Sequence, residues 1–278
     1  MRPMTQNQQR VAIVTGGARG ISAATGVRLA AAGWRVALID AADGSEELGY
    51  PLASKADLDD AVAAVWAASV VDTGSQDPVV GLVADVRDQP ALDRAVAEAV
   101  ERLGGLDAAV AAAGAIAGGP DTWHTDDTVW DAMIGINLTG VFHLARSTVP
   151  HLLARPEPRS GRFVAVASAA SVDGLPRLSA YTAAKAGVAG LVRALAAELG
   201  PHGITANGVA PGSTRTAMLD ASAAVYDLIS PEEFAVHQPI GRLLERDEIA
   251  AAIAWLCSAD ASAVTGAVLP VDGGMTAT

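Results

Sequence analysis

The chain has 278 residues, of which 51% are apolar and 18% charged, enough to bury a sizeable core and too apolar for a disordered segment. Its 31 acidic against 19 basic residues leave a net charge of −12, which excludes a nucleic-acid or anionic-membrane surface as the principal partner. Cys257, the one cysteine, allows no internal disulfide and sits among the apolar residues of IAWLCS, so it reads as a buried, inert thiol in a reducing, cytoplasmic compartment.

In chain order, residues 1–9 are polar, carry no signal-peptide pattern and read as a flexible tail. RVAIVT (10–15) is a short apolar run ending in a glycine turn, the pattern of a strand buried on both faces. The turn, VTGGARGIS, opens a helical window from Ile21 to about Ala32 that Gly33 closes. Glycines at 16, 17 and 20 allow a sharp backbone turn and close approach to a pyrophosphate at a helix N-terminus. The second strand, RVALID (35–40), ends in Asp40, 20 positions after Gly20, where a carboxylate accepts hydrogen bonds from an adenosine ribose. That charge repels a 2′-phosphate and favours NAD over NADP, whereas Arg19 pulls toward NADP.

Residues 41–80 hold more chain than one crossover needs: a turn-rich stretch, a helix near 56–69, then VVDTGSQDPVV. Further strands are expected at GLVADV (81–86), DAAVAAAG (107–114), GRFVAVAS (161–168), TANGVAPG (205–212) and GAVLPVDGG (266–274). Between them LDRAVAEAVERL places Leu92, Val96, Val100 and Leu103 on one helical face, and the windows 126–154 and 179–199 are long and largely apolar. AAVAAAGAIAGG, between Asp107 and Pro120, is too short to cross a bilayer. Seven strands alternating with helices predict an α/β chain folded as one domain, a doubly wound seven-stranded parallel sheet with helices on both faces, of Rossmann type. Residues 213–240, with Met218, Tyr226, Phe234 and His237, are expected to cover a substrate. His237 alone in a loop reads as structural, and Trp123, Trp130 and Trp255 read as core or interface residues.

In SAYTAAKAG (179–187), Tyr181 and Lys185 lie four apart and share a helical face. A nearby ammonium and an oxidised, positive nicotinamide both favour the phenolate and bring a tyrosine toward use as a base. By itself the pair is commonplace. Ser168, however, ends the fifth strand at the carboxyl edge, and Asn137 in GINLTG is a polar residue in an apolar helix.

Thr15 to Gly20, Asn137, Ser168, Tyr181 and Lys185, in this order, resemble the pattern of the short-chain dehydrogenases/reductases from about Val11 to Gly274. The resemblance implies that Ser168 orients the substrate oxygen, Tyr181 is the acid/base, Lys185 holds the nicotinamide ribose and lowers the tyrosine pKa, and Asn137 supports a proton-relay water. It also implies cofactor contacts from Gly16, Arg19, Gly20, Ile21, Asp40, Asp85, Val86, Ala113, Gly114, Pro211, Gly212, Thr214 and Thr216, with no metal. Three positions depart from the family pattern: Ser22 replaces its third glycine, Ala112 its strand-bracing asparagine, and Ser171 a glycine.

The 41–80 insertion, with RFVAVASAAS, PGSTRTAML and PEEFAVHQPIGRLLE, also resembles the mycofactocin-coupled branch of that family. That likeness implies a tightly held NAD re-oxidised in place by mycofactocin as external acceptor, and a cyclic or terpenoid secondary alcohol as substrate, as in the carveol dehydrogenases. Family members commonly pair through the two long helices and the last strand, so a homotetramer is expected. Two alternatives remain: an NADPH-dependent 3-ketoacyl-[acyl-carrier-protein] reductase, which favours basic residues where this chain has Asp40 and Asp43, and a non-catalytic dinucleotide sensor.

Overall fold

A computed structural model of the chain describes residues 9–45, 47–71 and 77–277. All but Gln9 of the expected tail, and part of the 41–80 insertion, lie outside these residues. Seven parallel strands form one sheet: β1 (Val11–Thr15), β2 (Arg35–Asp40), β3 (Val79–Val83), β4 (Ala108–Ala111), β5 (Arg162–Val166), β6 (Thr205–Pro211) and β7 (Val268–Val271), in the order β3-β2-β1-β4-β5-β6-β7. The five inner strands are buried almost throughout because helices cover both faces, which is why β1, β2, β4 and β5 are largely runs of Val, Ile, Leu and Ala without alternation. Pro270, which has no N–H to give a ladder, stands in the edge strand β7.

One face carries α3 (Gln89–Leu103), α5 (Gly140–Leu153) and α6 (Ser179–Leu199), packed as Leu92, Leu144, Val188 and Val192 around Phe163. The other carries α1 (Gly20–Ala31), α2 (Lys55–Ala68) and α8 (Arg246–Cys257), with Leu29, Leu58, Val65 and Ile253 against Val14 and Leu38. A third apolar cluster lies beyond the carboxyl edge, where Ala115, Ile116, Met133, Leu178 and Tyr181 meet Met218 and Tyr226. Met218 lies within α7 (Ala217–Val225) and Tyr226 ends it, and this helix belongs to the expected cover over residues 213–240.

The doubly wound sheet appears as expected, with three differences in detail. β3 starts before Gly81 and ends at Val83, so Asp85 and Val86 lie in the loop beyond it rather than in the strand. The long helix expected over 126–154 is α4 (Asp127–Ile134) and α5 joined by one π-helical turn, Gly135–Thr139, whose extra residue per turn rotates Asn137 into the interior. Trp123, Trp130 and Trp255 are not core: they are 77%, 43% and 40% exposed. Cys257 is buried as expected, and burial pushes its thiol pKa up to about 12.

β1 lies between β2 and β4: the chain builds outward from β1 through β2 to β3, then crosses back to β4 and builds outward the other way through β5, β6 and β7. The loops that follow β1 and β4 therefore diverge and open a crevice at their carboxyl ends.

Candidate active site

That crevice is a cavity of about 690 Å³. It is lined by the glycine turn after β1, Asp40 at the end of β2, Asp85 and Val86, Ala113 and Gly114 after β4, Ser168 after β5, Tyr181 and Lys185 of α6, and Pro211, Gly212, Thr214 and Thr216 after β6. Arg19 and Ile21 line it as well. Every expected site residue is there except Asn137, which is fully buried behind the wall.

The turn needs its glycine at 16. Gly16 has φ +68°, and a Cβ there would stand 2.6 Å from the Ala113 Cα. That close approach carries the backbone across the floor of the crevice. Beyond it α1 starts with no side-chain cap and no acidic residue in its first turn, whereas α2 and α3 are capped by Ser54 and Asp88. The first N–H groups of α1 thus face the cavity beside Gly20 and Ile21, a donor set that fits a dinucleotide pyrophosphate.

Asp40 is held by two backbone donors, Ala18 N–H at 3.1 Å and Ala42 N–H at 3.0 Å. Burial nevertheless pushes its carboxyl above the ordinary value, against the opposing pull of those N–H groups and of Arg19. Asp85 accepts from both the Arg87 N–H and Nε at 2.8 Å, so its carboxylate is engaged by Arg87.

Lys185 is buried, and its ammonium donates to the Val166 carbonyl at 2.9 Å, lying 5.6 Å from the Tyr181 ring centroid. Desolvation lowers its pKa to about 8. Tyr181 stands in the first turn of α6, the positive end of the helix. Burial raises its pKa, hydrogen bonding with Ser168 lowers it, and Tyr50 raises it further. The expected lowering by Lys185 is therefore not the leading effect, because the ammonium is committed to a carbonyl and the phenol is dry. The Ser168 hydroxyl also accepts from the Ala170 N–H at 3.1 Å, which fixes it at the head of the β5 loop.

Asn137 holds that cavity wall. Its Nδ2 donates to the carbonyls of Ala115 at 3.0 Å and Met133 at 3.1 Å, and its Oδ1 accepts from the Ala115 N–H at 3.2 Å. The three departures from the family pattern each have a compensating contact. Where the asparagine is missing, Thr15 Oγ1 accepts from the Ala112 and Ala113 N–H groups at 3.2 and 3.3 Å. Ser22 donates to the Ala112 carbonyl at 3.3 Å, and Ser171 to the Ser168 carbonyl at 2.6 Å.

Sequence reasoning missed Tyr50. Residues 43–45 and 47–54 belong to an arch closed at its base by an Asp43–Ser54 bridge and by the Gly44 N–H on the Ala53 carbonyl. From its tip the Tyr50 hydroxyl accepts from the Ile116 N–H at 3.1 Å, and Glu47 pairs with Arg87 at 3.0 Å. At its far end Arg19 donates to the Pro51 carbonyl at 3.2 Å and pairs with Asp57 at 2.6 Å. All three tyrosines of the chain, 50, 181 and 226, line this one cavity, a convergence that no spacing in the sequence announces. Around them the substrate end is apolar: Ile116, Leu175, Leu178, Met218, Leu228, Phe234 and Met275, with His237 at the rim. The Tyr226 hydroxyl donates to the Pro176 carbonyl at 2.7 Å and ties α7 over this end.

The sequence profile described as "Enoyl-(Acyl carrier protein) reductase" matches residues 55–276. The (-)-trans-carveol dehydrogenase of Rhodococcus erythropolis is 38% identical over 98% of this chain and 99% of its own length. The levodione reductase of Leifsonia aquatica is 37% identical over 99% and 97%. Among solved structures, the carveol dehydrogenase of Mycobacterium avium in complex with NAD superposes with a TM-score of 0.89 at 35% identity, covering 97% of this chain and 98% of that one.

Burying the Lys185 ammonium costs stability. Its folded-state pKa of about 8 lies below its ordinary 10.5, so between these values the unfolded chain holds a proton that the folded chain has lost, and stability rises with pH. Below about 8 both states are charged and the full penalty stands. Lys185→Met should therefore raise stability near pH 7 by on the order of 2 kcal/mol while removing activity, and the gain should shrink as pH climbs toward 10. Urea midpoints of the two proteins from pH 7 to 10 check this; a variant less stable at pH 7 would contradict it.

Proposed function

The chain belongs to the family of short-chain dehydrogenases/reductases, and we propose that it oxidises an uncharged cyclic secondary alcohol, or reduces the corresponding ketone, with NAD. One observation carries this reading: Ser168, Tyr181 and Lys185 meet in a cavity that runs from a ribose-facing carboxylate, Asp40, to an apolar end closed by aromatic and aliphatic side chains. Among the described residues, Lys185 and His237 are the only acidic or basic side chains that line the substrate end, which suits a terpenoid-sized alcohol better than a carboxylate or a carrier-bound phosphopantetheine. The carveol and levodione relatives support the same substrate class.

NAD, when bound, supplies the hydride acceptor. Ser168 holds the substrate oxygen, and Tyr181 takes the hydroxyl proton as the carbon–hydrogen bond breaks. Lys185, fixed by Val166, reaches the nicotinamide ribose and adds positive charge beside the phenol. Asn137 keeps Ala115, and with it the β4 loop, in place. The apolar cluster around Tyr181 excludes water, so the proton has one acceptor.

Within this reading the arch over residues 43–45 and 47–54 holds NAD in the cavity, to be re-oxidised in place with mycofactocin as external acceptor. Its three fastenings, Glu47 to Arg87, Tyr50 to Ile116 and the Pro51 carbonyl to Arg19, join it to the loops after β3, β4 and β1. The half-exposed Trp130 and Phe142, on α4 and α5, and Trp255, on α8, provide apolar faces for a homotetramer of cytoplasmic protein. Among the described residues no helix is long and apolar enough to cross a membrane.

Tyr181→Phe should lower kcat for a cyclic alcohol such as carveol by at least about a hundredfold while leaving NAD affinity within a few-fold of the parent. A variant that keeps more than a tenth of the parent rate would remove Tyr181 from the proton transfer.

Protein purified without added cofactor should carry NAD through gel filtration and, given the alcohol, reduce an artificial electron acceptor. Continuous release of free NADH over many turnovers would instead show an open, exchanging cofactor. Light scattering should give four times the 28.0 kDa chain mass at micromolar concentration, and a monomer would contradict the assembly.

A further inference from the structure

The adenosine end of the cavity contains two guanidinium groups, Arg19 and Arg87, either of which could bind a 2′-phosphate. Neither is free. Arg87 pairs with Asp85 at 2.7 Å and with Glu47 of the arch at 3.0 Å. Arg19 gives one nitrogen to the Pro51 carbonyl at 3.2 Å and the other to Asp57 at 2.6 Å. Yet Arg19 is well placed for a ribose phosphate. It directly follows Ala18, whose N–H lies on Asp40, and its charge is close enough to draw the Asp40 carboxyl downward.

On the reading of the cavity as an NAD site, we propose that Asp57, a residue outside the cavity wall, is a second determinant of the preference for NAD over NADP, acting by holding Arg19 against the arch and away from the adenosine ribose. Asp40 repels a 2′-phosphate; Asp57 withholds the cation that would receive one. Asp57 suits this role because it is itself fixed. It is the third residue of α2, and its carboxylate accepts from the Ser54 N–H at 2.8 Å and the Ser54 hydroxyl at 2.5 Å while receiving Arg19. The bonds from Arg19 and Ser54 hold its carboxyl well below the usual range, so the clamp stays charged throughout the neutral range.

This arrangement predicts that removing Asp40 alone admits NADP poorly, because Arg19 stays clamped. Asp57→Asn keeps an oxygen for the Ser54 N–H, and so the helix cap, but gives up the charge that binds Arg19. Dissociation constants for NAD and NADP should be measured by calorimetry on the parent, D57N, D40A, D40A/D57N and D40A/D57N/R19Q. The expected result is that D57N shifts the NAD-to-NADP affinity ratio toward NADP by about tenfold in the D40A background, the scale of one or two charge-assisted bonds, and that R19Q abolishes this gain. D57N alone should move the ratio the same way by a smaller factor, which keeps the test open if the double variant does not fold. S54A, which weakens the cap but leaves Asp57 on Arg19, should lower the melting temperature and leave the ratio unchanged. An unchanged ratio in D40A/D57N, or a gain that survives R19Q, would overturn the proposal. Parent protein that binds neither dinucleotide would overturn the NAD reading on which it rests.

Discussion

The reversal of strand order between β1 and β4, where the sheet stops growing one way and starts growing the other, is the constraint on which the other features of the site depend. A parallel sheet covered on both faces sends each loop over one edge, and only where neighbouring strands are wound in opposite senses do two loops part. Here the parting places an uncapped helix N-terminus, the Asp40 carboxylate and the tyrosine–lysine helix around one crevice. The close passage of Gly16 over Ala113 fixes its floor. Asn137 fixes its wall, and it reaches Ala115 because a π-turn gives α4 and α5 one residue more than a regular helix.

The cavity stores unfavourable electrostatics in a few places and neutralises the rest. Lys185 is one of only two lysines in a chain that otherwise uses arginine, and it is the buried one. A guanidinium could not shed its proton or pack as a compact charge against the Val166 carbonyl. Tyr181 is dry, and burial raises its pKa against the hydrogen bond with Ser168. At the other end each cation is met by a carboxylate, Arg87 by Glu47 of the arch and Arg19 by Asp57 of α2 just beyond it.

Much of this was legible in the sequence. Apolar runs without alternation marked the inner strands, and the glycine turn, Asp40, Ser168, Tyr181 and Lys185 all fall on the cavity that their spacing implied. What was hidden depends on contacts distant along the chain. Tyr50 meets Ile116 across 66 positions and Arg19 meets Asp57 across 38, through an insertion whose path no periodicity encodes. The π-turn was invisible because its sequence reads as ordinary amphipathic helix. Of the two readings given to Trp123, Trp130 and Trp255, core or interface, their exposure removes the core, which the sequence left open because apolar size alone does not say on which side of a helix a residue lies.

The central claim is that Tyr181, Ser168 and Lys185 serve direct hydride transfer between an alcohol carbon and the nicotinamide. It is tested most directly with a cyclic secondary alcohol such as carveol carrying deuterium at its carbinol carbon, incubated with the enzyme and NAD. Mass spectrometry of the nucleotide recovered after denaturation should show one deuterium per reduced nicotinamide, with none lost to solvent. Reduced nucleotide without the label, or ketone formed with no reduced or labelled nucleotide, would contradict it.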